Sequence, residues 1–119
     1  SPPWPMSMPH QRAPIFTATW DFSVWLVRKA RATPQDPLAR SLADRAMRLL
    51  DAITLALKDI DRDDALQHAD LLLIQLRLRL RLAMETELLS AQQAHYALQQ
   101  TDSIGRQLGG WRKAQERAE

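Results

Sequence analysis

Three features of this sequence predict an all-α fold, an antiparallel up-down-up-down four-helix bundle. Apolar residues recur three and four apart through four separate segments. The breaks between those segments are short and carry helix start and stop signals. Glycine is scarce, with 3 in 119 residues, while 45% of the chain is hydrophobic. Long helices joined by short connections are antiparallel neighbours, and a chain of this length makes one domain.

Residues 1–14 hold five of the seven prolines and show neither a helical nor a strand period, so they read as a flexible N-terminal arm. Trp4, Met6 and Met8 within it are open to either a docking role or none. The bundle is expected over residues 15–113, with a short charged tail over 114–119.

Residues 15–31 form the first expected helix, with Phe16, Trp20, Val24 and Val27 on one line and Phe22, Trp25 and Leu26 beside it. Arg28, Lys29 and Arg31 suit its C-terminal end and are equally placed to touch phosphate. Asp36 followed by Pro37 is a cap and first-turn pair that starts the second helix, expected to run to about Asp59. Its core line is Leu42, Ala46, Leu49, Ile53, Leu57 and Ile60, with Arg40, Asp44, Arg48 and Asp51 on a solvated face. The Asp61-Arg62-Asp63-Asp64 cluster offers an aspartate cap for the third helix and lacks the glycine and closing glutamate of a calcium loop.

The third helix is the central one. Leucine and arginine alternate from Leu76 to Leu82, a strand-like period, yet no glycine or proline interrupts residues 65–90 and the residues are good helix formers. At about 100° per residue, Asp70, Arg77 and Arg81 fall on one polar stripe, and His68, Gln75 and Arg79 on another roughly opposite. Between them lie a wide apolar face (Ala65, Leu66, Ala69, Leu72, Leu73, Leu76, Leu80, Ala83) and a narrow one (Leu71, Ile74, Leu78, Leu82). A surface helix needs one such face. The second either belongs to a helix apolar nearly all round or serves as an oligomer interface. Ser90 and Gln93 make a capping box for the fourth helix, whose inner stripe is Ala94, Ala97, Thr101, Ile104, Leu108 and Trp111. Gly109-Gly110 interrupts helix propensity, and the sequence after Trp111 is expected to fray.

With no cysteine, disulfides and thiolate metal sites are excluded. No apolar run approaches membrane-spanning length and the N-terminus has no signal-peptide pattern, so a cytoplasmic protein is expected. The inward Glu-x-x-His pairs of di-metal bundles are absent, His68 and His95 stand on separate helices, and no phosphate loop or nucleophile motif occurs. A protein that is not an enzyme, without metal or cofactor, follows. The net charge is only +2, but 13 of the 16 basic residues are arginine, the better group for bidentate phosphate contacts. Two classes remain: an oligomeric nucleic-acid adaptor using Arg77, Arg79 and Arg81, with Arg28 and Lys29 next, or a protein-binding scaffold whose second apolar face is its function.

Three segments carry a likeness to a known family. They are Pro14-Ile15-Phe16-Thr17-Ala18-Thr19-Trp20-Asp21 with Trp25-Leu26, then Leu88-Leu89-Ser90, then Ile104-Gly105-Arg106-Gln107-Leu108-Gly109-Gly110-Trp111. Together they resemble the accessory variability determinant proteins of diversity-generating retroelements. These sit in a wider four-helix family with proteins encoded in intervening sequences of bacterial 23S ribosomal RNA genes. The resemblance implies a pentameric ring of bundles that associates with a reverse transcriptase and its template RNA, supporting cDNA synthesis in mutagenic retrohoming without a catalytic centre of its own. The intervening-sequence relatives imply the alternative, an oligomeric protein-binding scaffold.

Overall fold

The structure is a computed structural model that describes residues 13–118; Trp4, Met6, Met8 and the rest of the expected arm before Ala13 lie outside the described residues, as does Glu119. The described residues form four helices: α1 Pro14–Arg31, α2 Pro37–Leu57, α3 Arg62–Glu85 and α4 Ala91–Ala118. Each packs on the next, and α4 closes against α1.

Local chemistry sets the ends. Pro14 opens α1, where its missing N–H costs nothing. Asp36 caps α2 as its spacing predicts, Oδ1 accepting from the Leu38 and Ala39 amides at 2.8 and 3.1 Å. Ser90 and Gln93 make the reciprocal capping box, with bonds of 3.0 and 3.1 Å. The Asp61 cap does not form. Asp61 takes a left-handed backbone with φ 46° and its side chain accepts no capping bond. The reason is the way α2 stops: Asp59, also left-handed at φ 57°, lets the Ile60 amide reach back to the Leu55 carbonyl and the Asp59 amide to that of Ala56. Arg62 fills the same end, Nε donating to the Ala56 carbonyl at 2.9 Å.

The wide face predicted for the central helix is the face that is buried, all eight residues from Ala65 to Ala83. Opposite it stand Phe22 and Leu26 of α1, Leu42, Leu49 and Ile53 of α2, and Ile104 and Leu108 of α4. Buried polar groups are satisfied: Thr19 and Thr101 bond back to carbonyls of their own helices, and Ser23 donates to the Ala46 carbonyl across α1 and α2. One difference is at the C-terminus, where α4 continues unbroken through Gly109 and Gly110 to Ala118. Tertiary contacts outweigh the propensity loss of about 1 kcal/mol per glycine: Trp111 packs on the core beneath the Arg62 guanidinium, 5.6 Å from its ring centroid, and Arg112 pairs with Asp70.

Two cap variants should move stability in opposite directions in chemical denaturation. Asp36→Ala should lose about 1 kcal/mol with its two capping bonds. Glu87→Gly should gain up to about 1 kcal/mol, because Glu87 is held at φ 65° in an exposed turn after α3.

Candidate functional site

Helix α3 is where the sequence placed both an interface, on its narrow apolar face, and arginines on the two polar stripes beside it. Leu71, Ile74, Leu78 and Leu82 are 49%, 62%, 67% and 51% exposed, although Leu71, Ile74 and Leu82 each adjoin a buried leucine or alanine in sequence. The row exists because leucine occupies positions on both sides of one helix cylinder. Covering four half-exposed apolar side chains is worth on the order of 3–6 kcal/mol, comparable with the whole net stability of a small domain. Met47, Leu55 and Ile60 are further exposed apolar side chains, and Met47 joins Val24, Val27 and Leu50 along a groove between α1 and α2.

The three α3 arginines flank this row and are not brought together. Arg77 turns to α4: its Nη2 lies 3.2 Å from Asp102 Oδ1 and donates to the Thr101 carbonyl at 3.4 Å. Arg79 turns to α2, Nε donating to Ser41 Oγ at 2.9 Å and Nη1 to the Gln75 carbonyl at 3.2 Å. Arg81 remains on its own helix, paired with Glu85 at 3.2 Å and three-quarters exposed. Two of the three, Arg77 and Arg81, therefore have a carboxylate partner, in pairs that are about half exposed or more. Arg28 and Lys29 differ. Both are exposed on the last turn of α1, and among the described residues neither has a carboxylate partner. Lys29 instead places Nζ 5.7 Å from the centroid of the Trp25 ring.

Gly105 explains the seat of Arg77. A Cβ at that position would lie 2.8 Å from Arg77 Nη2, so the absent side chain lets the guanidinium lie against α4. With Asp70, Ile74, Asp102 and Arg106 these residues line a groove between α3 and α4. The sequence reading quoted Arg106 only within the family motif and missed Asp102, whose signal is an aspartate one turn before Arg106. It also missed the pairing of Trp25 with Tyr96, ring centroids 5.1 Å apart, because the two lie on opposite ends of the chain's helix order. His68 and His95 are exposed on α3 and α4, and among the described residues no three His, Asp or Glu side chains group as metal ligands. No described helix is long and apolar enough to cross a membrane. No protein-family model matches this chain, nor does any curated protein or solved structure.

The Gly105 contact is testable by a double-mutant cycle. Gly105→Ala in an Arg77→Ala background should stabilise by about 1 kcal/mol from helix propensity. In the unaltered background the gain should shrink by up to about 1 kcal/mol, the scale of an exposed ion pair, as Arg77 is pushed from Asp102. Equal gains in both backgrounds would show that Arg77 does not depend on Gly105.

Proposed function

We propose that this chain is a non-catalytic accessory protein of the variability-determinant type, acting in the cytoplasm as a ring of bundles that binds a reverse transcriptase and its template RNA or cDNA. The exposed Leu71, Ile74, Leu78 and Leu82 row carries the reading, because it gives a helix already buried on one side a second apolar surface suited to a neighbouring chain. The retroelement setting comes from the motif resemblance, above all residues 104–111.

An antiparallel course is supported by cross-helix pairs. Arg45 meets Gln75 while Arg79 meets Ser41, and Asp70 meets Arg112 while Arg77 meets Asp102, so numbers rise on one helix as they fall on its neighbour. The ring is supported by a second, unlike apolar surface in the Val24, Val27, Met47 and Leu50 groove. Two unlike faces make a head-to-tail contact, and such contacts close into rings when the rotation per subunit divides a full turn. The resemblance implies five copies.

A protein-binding scaffold of the intervening-sequence type is the second reading. It is favoured by the Arg77–Asp102 pair and, more weakly, by the exposed Arg81–Glu85 pair, since a carboxylate beside a guanidinium weakens its attraction for phosphate. Titrating a labelled structured RNA at about 50 and 200 mM salt separates the two. The accessory reading expects affinity to fall on the order of a hundredfold across that interval, together with capture of the cognate reverse transcriptase on immobilised protein. No RNA binding, with a protein partner still captured, would establish the scaffold instead.

A further inference from the structure

An open cationic patch lies at the end of α1, beside aromatic rings. Arg28 and Lys29 are exposed there without carboxylate partners among the described residues, unlike Arg77 and Arg81. Next to them Trp25 of α1 and Tyr96 of α4 meet at 5.1 Å with their planes 49° apart, and Tyr96 keeps 41% of its surface exposed. These four residues, with Trp20, Asp21 and Val24, line an open cleft of about 800 Å³ between the two helices. That falls within the roughly 300–1,000 Å³ of small-ligand sites.

We propose that this cleft is a stacking site for an unpaired base of single-stranded RNA or cDNA. Tyr96 is the platform, Trp25 the wall beside it, and Arg28 and Lys29 meet the adjoining phosphate. The proposal rests on the nucleic-acid reading above and names where the strand is held. Cations alone attract duplex and single strand alike. An exposed ring beside them selects the single strand, because bases in a duplex are already stacked on one another. Every base has a π face, so such a site is tolerant of sequence, which suits a protein that handles a template rather than one motif. Asp21 is the one carboxylate lining the cleft, and it repels a phosphate from its own end, leaving the phosphate to Arg28 and Lys29.

The test is anisotropy with a labelled oligouridylate of about ten nucleotides, using the full chain at several salt concentrations. Circular dichroism verifies that each variant is helical. Tyr96→Ala should weaken binding about tenfold without altering the salt slope. Tyr96→Leu, which keeps the apolar bulk and lacks the π face, should lose nearly as much, and Tyr96→Phe should bind like the unaltered protein. Replacing Arg28 and Lys29 together by glutamine should reduce the salt slope by about 1.4, two charges on a single strand. RNA duplex of equal length should be indifferent to Tyr96→Ala. If Tyr96→Ala and Tyr96→Leu both hold oligouridylate unchanged, the stacking site is overturned while the nucleic-acid reading stands. Displacement of oligouridylate by polyglutamate at matched charge, with Tyr96 silent, would overturn it in favour of an acidic peptide. An unaltered protein that binds no oligouridylate and no structured RNA would remove both.

Discussion

Helix α3 carries two apolar faces, and the described residues cover only one. Its wide face packs against α2 and α4 and forms the centre of the core, while the narrow face of Leu71, Ile74, Leu78 and Leu82 stands in water. The polar stripes between the faces are narrow, so their arginines reach sideways to the neighbouring helices: Arg77 to Asp102 on α4 and Arg79 to Ser41 on α2. The same side chains that read as a cationic surface thus act as braces that fix the rotation of α3 in the bundle. Rotating the helix to bury the narrow face would expose the wide one, so no turn of α3 buries both faces among the described residues.

The end of the bundle near Arg62 shows how a small number of contacts holds long helices together. Arg62 donates to the last turn of α2, pairs with Asp59 at 3.5 Å and lies over Trp111 of α4. It thereby joins three helices at one corner. That corner, with the Arg112 and Asp70 pair, keeps α4 helical past two glycines that meet no close neighbour and have no packing reason to be glycine. The opposite half of α4 presents Tyr96 to Trp25 of α1. Helix α4 thus runs from the aromatic and cationic cleft to the braced end.

Helix number, order and the buried face of α3 were legible because they depend on local period and on cap chemistry, which the chain states residue by residue. Asp36 and the Ser90 with Gln93 pair carry their partners within three residues, and both caps form. Asp61 was misread because its backbone is set by the left-handed exit of α2, a property of Asp59 and Ile60 rather than of the aspartate itself. The continuation beyond Gly110 and the pairing of Arg77 were hidden for one reason: each depends on a residue more than twenty positions away, Asp70 in the first case and Asp102 in the second. Arg28 and Lys29 ranked second on charge density alone. In the fold Arg77 and Arg81 carry carboxylate partners while Arg28 and Lys29 carry none among the described residues, and no count of charges along the sequence contains that information.

The claim on which the rest depends is that another copy of the chain covers the narrow face of α3. Its most direct test is the solution mass by light scattering over a range of protein concentration and salt, for the unaltered chain and for one carrying Leu71→Gln, Ile74→Gln and Leu78→Gln. The account predicts a closed oligomer for the first, insensitive to salt because its contact is apolar, and a smaller species of equal helicity for the second. An unaltered chain that stays at single-chain mass throughout would contradict it.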